Sequence, residues 1–167
     1  MIKYFGLFLI LICAFSLGFL FRKNMSMRII ILKSVKSMLQ QFKTEISYSM
    51  PNLTEMMLSV TDSNICELTN RICNNLKSGL TPVESVELGL NNWKMVDIMS
   101  NEEKNLLISI ISQIGTSDAE NQILFLDNSI EKLDYHIENA IINNNKNSKV
   151  YFTVSIYVGI ALVIILL

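Results

Sequence analysis

Residues 100–141 read SNEEKNLLISIISQIGTSDAENQILFLDNSIEKLDYHIENAI, and this stretch decides the fold class. It opens with a Ser-x-x-Glu pattern at Ser100 and Glu103, which is typical of a helix start because each side chain can bond the other residue's backbone N–H. Gly115 divides the stretch, and Ser117 opens the second half with the same pattern. In both halves apolar residues recur every three or four positions, which predicts two amphipathic helices. The two apolar stripes are Leu106, Leu107, Ile110, Ile111 and Ile114, then Ile123, Leu126, Ile130, Leu133, Ile137 and Ile141.

The middle of the chain has helical periodicity throughout. A stripe from Leu32 to Ile46 predicts a long helix that ends near Pro51, because the residue before a proline is driven out of the helical region. Two short helices follow, and Gly79 is expected to cap the second of them. Thr81-Pro82-Val83-Glu84 then combines an N-cap, a proline in the first turn and a capping glutamate. The sequence therefore predicts one all-α domain over residues 22–149, a bundle of about six helices.

The two ends of the chain are long apolar runs. Residues 1–21 contain one charged residue, Lys3, and residues 150–167 contain none. A helix rises about 1.5 Å per residue, so about twenty residues cross the roughly 30 Å of a hydrocarbon core. We therefore predict transmembrane helices at residues 1–21 and 150–167. A cleaved signal peptide is the alternative for the first run, but its apolar residues continue into Arg22-Lys23 without a small-residue cleavage site and a polar start.

Basic and acidic residues are segregated along the chain, although the net charge is only −1. Residues 1–43 and 145–167 contain nine of the fourteen Lys and Arg residues, whereas residues 44–144 contain all fifteen acidic residues. Basic residues beside membrane spans stay in the cytoplasm. We therefore expect a cytoplasmic middle domain whose basic ends contact membrane lipid. The acidic part is either a solvated surface or a surface for a basic partner, and the charge distribution argues against nucleic-acid binding.

One acidic cluster lies on the last predicted helix of the bundle. Its members are spaced by four, three and four residues, so they share one helix face. We interpret this face, the acidic ridge, either as a docking site for a basic partner or as the solvent side opposite the apolar stripe. The ridge consists of Asp127, Glu131, Asp134 and Glu138.

Residues that could carry out chemistry are sparse. The six glycines never form a phosphate-binding loop, and the single histidine, His136, has no accompanying nucleophile motif. Cys66 and Cys73 are about 10 Å apart along one predicted helix, which is too far for a disulfide. No zinc site can be assembled from these spacings. We therefore expect no catalytic residue, no cofactor and no metal, and a protein that is not an enzyme.

The order of these features resembles the stage III sporulation protein AB family over nearly the whole chain. The resemblance rests on the segment 44–48 with Pro51 and Leu53, on Gly79-Leu80-Thr81, and on a Gly-x-Ser-Asp-x-x-x-Gln pattern that begins at Gly115. In that pattern we expect Gly115 to end one helix with a positive φ and Ser117 to cap the next. The family-motif residues, which are either architectural or a partner contact, are Glu45, Tyr48, Gly115, Ser117, Asp118 and Gln122.

The resemblance implies a role in endospore formation, in the mother-cell membrane around the forespore. There the family is part of a multi-protein channel complex, and its cytoplasmic domain is similar to the type II secretion platform protein F. The implied partners are a secretion-type ATPase, stage III sporulation protein AA, and other membrane proteins of the same channel complex. Our leading hypothesis is a non-enzymatic membrane platform that docks this ATPase. The alternative is a membrane-anchored helical protein that relays a signal between its two spans.

Overall fold

The computed structural model describes residues 2–166, with side chains described at position 16, throughout 23–146 and at part of the positions in 150–164. The regular structure described is entirely helical, which confirms the predicted all-α class. Its elements are α1 (Ile2–Tyr48), α2 (Leu53–Ser59), α3 (Cys66–Lys77), α4 (Pro82–Asn91), a short 3-10 helix (Val96–Ile98), α5 (Asn101–Gln113) and α6 (Ala119–Leu166).

The first and last helices are much longer than the others. α1 has 47 residues and α6 has 48, so each contains a predicted bundle helix and a predicted membrane span in one element. Across the positions whose placement is described, no helix is at once sufficiently long and sufficiently apolar to cross a membrane. The predicted spans at 1–21 and 150–167 fall mostly on side chains outside the described residues, so they stay predictions.

The chain divides into two compact units, which we call the bundle unit (residues 30–137) and the terminal unit (residues 1–29 and 138–167). In the terminal unit, several large apolar side chains near the end of α6 are exposed. Contiguous exposed apolar surface is typical of contact with a membrane or with another protein. These exposed residues are Val150, Val154, Tyr157, Val158, Ile160 and Ile164.

The core of the bundle unit is built from the predicted apolar stripes. α3 packs against α2 and α4, and α4 packs against α5. The contact between α3 and α4 is close, because a Cβ added at Gly89 would lie 2.9 Å from Cγ1 of Ile72. Trp93 and Phe42 are among the largest fully buried side chains. Among the described side chains of α1, the buried apolar residues are Ile31, Leu32, Val35, Met38, Leu39, Phe42 and Ile46.

Two ion pairs join α1 to α6 within the bundle unit. Nζ of Lys36 lies 2.6 Å from Oδ1 of Asp134, and Nζ of Lys43 lies 2.6 Å from Oδ1 of Asp127. Each lysine also donates to the second carboxylate oxygen of its partner, at 2.7 and 2.8 Å. The two lysines are seven residues apart and so are the two aspartates, in the opposite chain order. α1 and α6 are therefore antiparallel here and paired in one register.

Helix starts and ends in the bundle unit follow the expected capping chemistry. Two predicted capping boxes are confirmed, and α2 begins with a third, at Asn52, which was not predicted from the sequence. Gly79 has a φ of +87°, which confirms it as the residue that ends α3. The three boxes join Asn52 to Glu55, Thr81 to Glu84 and Ser100 to Glu103.

Two aromatic residues of α1 provide a matched test of this core. Phe42 is fully buried, whereas Tyr48 is 87% exposed. We expect Phe42→Ala to lower the free energy of unfolding by about 3–5 kcal/mol, because it leaves a cavity in the core. Tyr48→Ala should change it by less than about 0.5 kcal/mol. Urea unfolding of the full chain in mild detergent, followed by Trp93 fluorescence, measures both, and equal effects would contradict the packing described.

Candidate functional site

Two segments of the family motif, far apart in the sequence, meet at one corner of the bundle unit. The end of α1 and the start of α2 lie beside the connection between α5 and α6, around a cavity of about 420 Å³. We call this place the motif corner. The cavity is lined by Ile46, Met50, Pro51, Asn52, Leu53, Gly115, Ser117 and Gln122.

Gln122 fixes the connection between α5 and α6. Its side chain is buried, with 6% exposed. Oε1 of Gln122 accepts a hydrogen bond from the backbone N–H of Gly115 at 2.9 Å, and Nε2 donates to the carbonyl oxygen of Ser117 at 2.5 Å. Because both ends of the amide are bonded, the side chain can be buried without leaving a polar group unpaired. Gln122 therefore has an architectural role in the motif.

Gly115 follows the end of α5 with a φ of +83°, as the sequence predicts. This region of backbone conformation is unfavourable for residues that carry a Cβ. A Cβ added at Gly115 would meet no atom within 4 Å among the described residues. The need for glycine here is therefore conformational and does not come from crowding.

The cap of α6 is Asp118, so the prediction that Ser117 caps this helix is wrong. Oδ1 of Asp118 accepts a hydrogen bond from the backbone N–H of Asn121 at 2.9 Å, and its backbone carbonyl accepts from Gln122 at 3.0 Å. The carbonyl of Ser117 is bonded to the side chain of Gln122, while the residue as a whole is exposed. Ser and Asp are comparable caps. The bonds of Gln122 decide which residue caps α6, because they hold Ser117 within the connection between α5 and α6.

The two motif residues of α1 have different surroundings. Oε1 of Glu45 accepts hydrogen bonds from Nε2 of Gln41 at 2.8 Å and from Oγ of Ser59 at 2.7 Å. Glu45 thereby ties α1 to the end of α2. Tyr48 is largely exposed, so its ring is accessible to a partner.

The connection between α1 and α2 contains a strained residue. Met50 has a φ of 45°, in the left-handed region that costs a residue with a Cβ on the order of 1 kcal/mol. Its side chain is half-exposed and lines the motif corner. Such strain persists only when the surrounding structure imposes it. Here the following residues are constrained by Pro51 and by the capping bonds of Asn52.

The structure divides the acidic ridge. Asp127 and Asp134 are ion-paired with lysines of α1, so half of its carboxylates are engaged within the chain. Glu131 lies between them in sequence and is exposed, and no ion pair among the described residues involves it. Glu138 is also exposed and belongs to the terminal unit. That the ridge docks a partner stays a prediction.

Two carboxyl groups outside the motif corner have lowered pKa values. The backbone N–H of Asn64 donates to Asp62 at 2.8 Å and is the main cause of the lowered pKa of Asp62, to which Ser34 also contributes. The hydroxyl of Thr81 is the main cause of the lowered pKa of Glu84 in the capping box. Both shifts come from bonds that fix a turn or a helix start. Neither group has the raised pKa typical of a general acid.

Groups that could perform catalysis are not assembled in the described part of the chain. No cluster of three or more His, Cys, Asp or Glu residues there could hold a metal ion. His136 packs edge-on against Tyr135, with ring centroids 5.8 Å apart. Cys66 and Cys73 are free thiols. The arrangement can fix helices relative to one another and offer surfaces to a partner.

The role assigned to Gln122 predicts a specific loss of stability. Gln122→Leu leaves the N–H of Gly115 and the carbonyl of Ser117 without partners, so the free energy of unfolding should fall by about 1–3 kcal/mol. Gln113, at the exposed end of α5, is the matched control, and Gln113→Leu should cost less than about 0.5 kcal/mol. Denaturant unfolding of both variants measures this difference. Wild-type stability in Gln122→Leu would disprove the architectural role.

Comparison with known proteins identifies a family match. The family model of stage III sporulation protein AB matches residues 3–167, which is nearly the entire chain and agrees with the resemblance seen in the sequence. No curated protein and no solved structure matches.

Proposed function

The chain belongs to the stage III sporulation protein AB family, and from this membership we propose that it acts in sporulation as a non-enzymatic membrane platform. In this proposal its helical bundle lies in the cytoplasm of the mother cell and docks a secretion-type ATPase, stage III sporulation protein AA. The platform couples that ATPase to the membrane proteins of the channel complex between mother cell and forespore.

The observation that carries the proposal is the pairing of α1 with α6. These are the two helices that contain the predicted membrane spans, and in the bundle unit they are held together by Lys36–Asp134 and Lys43–Asp127. A pair of helices fixed in one register presents a surface of defined shape, which a docking platform needs. The remaining helices pack as a bundle whose surface carries an excess of acidic residues.

Two observations support membrane attachment: the apolar composition of the two ends of the chain and the exposure of apolar side chains in α6. The apolar runs at 1–21 and 150–167 are long enough to span a bilayer. In α6, the exposed apolar side chains between Val150 and Ile164 would be covered by lipid or by neighbouring spans. Arg22, Lys23 and Lys146, beside the two runs, would face anionic headgroups on the cytoplasmic side. Location in the mother-cell membrane around the forespore follows from the family.

A role without catalysis fits the site. Many ATPases bind phosphate with a glycine-rich loop that ends in a lysine. The glycines of this sequence do not form that pattern. The family-motif residues form bonds within the fold: Gln122 holds the connection between α5 and α6, and Glu45 ties α1 to α2. We therefore assign nucleotide hydrolysis to the partner and no cofactor to this chain.

Docking is tested by co-purification. The full chain in lipid nanodiscs should retain the purified ATPase on an affinity resin, whereas nanodiscs that carry an unrelated protein with two spans should not. Because surface charge contributes to the contact, retention should decrease as salt is raised from low to about 1 M, where the Debye length falls to about 3 Å. No retention at low salt would overturn the docking proposal.

Topology is tested by protease protection. In non-sporulating bacterial cells that produce the full chain and are stripped of their wall, protease added outside should leave the bundle intact, because it is expected in the cytoplasm. Permeabilisation should then allow cleavage at its exposed lysines, such as Lys77 and Lys94. Cleavage of the bundle before permeabilisation would contradict the proposed orientation.

A further inference from the structure

A groove runs along the outer side of the α1–α6 pair, away from the buried core. It encloses about 510 Å³ and lies within the bundle unit. Five of its lining residues are on α1 and two are on α6. We call it the α1–α6 groove, and its lining consists of Gln40, Lys43, Thr44, Ser47, Tyr48, Asp127 and Ile130.

The α1 wall of the groove is suited to close approach by another helix. Thr44 and Ser47 are small, and their hydroxyls already donate to carbonyls of their own helix, to Gln40 at 3.0 Å and to Lys43 at 2.8 Å. Such internal bonds satisfy the hydroxyl donors. A partner could therefore cover this wall without leaving those donors unpaired.

The charge inside the groove is balanced. Lys43 and Asp127 both line it and are paired with each other at 2.6 Å, so neither offers a full charge to a partner. Attraction to a partner must therefore come from groups on the rim.

The exposed face of α6 beside Asp127, which we call the rim of the groove, is apolar and acidic. Leu124, Glu131 and Tyr135 are seven and four residues apart, so they share the face of α6 opposite the buried Leu126 and Leu133. Leu124 is 60% exposed and Tyr135 is 66% exposed, so both side chains are accessible to a partner. Glu131 adds a carboxylate without an ion-pair partner among the described residues.

We propose that the α1–α6 groove receives a basic amphipathic helix of the ATPase, an inference that rests on the proposed function and names the surface it uses. The apolar side of that helix packs against Ile130, Leu124 and Tyr135, and a lysine or arginine on its edge pairs with Glu131. A helix that buries an apolar face in a groove is a common mode of recognition. The carboxylate of Glu131, which forms no ion pair among the described residues, favours a basic occupant over anionic lipid or over a second copy, which would bring the same carboxylate to the interface.

The test measures the affinity of the purified ATPase for the full chain in nanodiscs. Thr44→Trp fills the groove and Glu131→Lys reverses the rim charge, and each should weaken binding by about tenfold or more. Thr44→Val should bind as the wild type does, because the hydroxyl of Thr44 is used within its own helix. The matched controls are Asn74→Trp on α3 and Glu87→Lys on α4, both at exposed positions, and these should change affinity by less than about twofold.

Each outcome decides between the two proposals. If the wild-type chain binds the ATPase and both groove variants bind equally well, the groove proposal is overturned while the platform proposal stands. If the wild-type chain does not bind at all, the platform proposal fails, and the groove loses its occupant with it. If the chain self-associates without ATPase and Thr44→Trp abolishes that association, the occupant is a second copy and the groove proposal is wrong. Unchanged thermal unfolding of each variant confirms that it is folded.

Discussion

The antiparallel register between α1 and α6 is the constraint on which the rest of the structure depends. Lys36–Asp134 and Lys43–Asp127 lie two helical turns apart along the same seam. All four side chains are partly exposed, so each pair contributes at most about 1 kcal/mol. Most of the stability comes from burial of the apolar stripes beside the seam. The ion pairs act mainly on specificity, because a shift of one helix past the other would separate every lysine from its aspartate.

The motif corner builds on this register at one end of the seam. Gln122 anchors the connection that leads into α6, and Glu45 anchors α1 to α2. These bonds give Gln122 and Glu45 a structural role that requires no catalytic function. The same helices leave their outer faces open, and there the α1–α6 groove and the exposed Leu124 and Tyr135 offer a surface. A sporulation protein built in this way is well suited to holding a partner.

Local features were predictable from the sequence, whereas long-range pairings were not. The capping box at Ser100 and the positive φ of Gly115 follow from residue type and spacing, and both are observed. The choice of Asp118 as the cap of α6 depends on the bonds that Gln122 makes, which a linear pattern does not contain. The acidic ridge was predicted from spacing alone, whereas the pairing of its aspartates with α1 depends on tertiary structure. The one sequence feature that indicated this pairing is the seven-residue spacing of Lys36 and Lys43, which equals the spacing of Asp127 and Asp134.

Site-specific crosslinking tests the central claim most directly. In a full chain whose native cysteines are replaced, Lys43→Cys with Asp127→Cys should react with a short bifunctional maleimide to give an intramolecular crosslink. Lys43→Cys with Asp134→Cys should not, because a seven-residue offset moves the thiols about 10 Å apart along the helix axis. Efficient crosslinking of the offset pair, with none of the matched pair, would contradict the register and the account built on it.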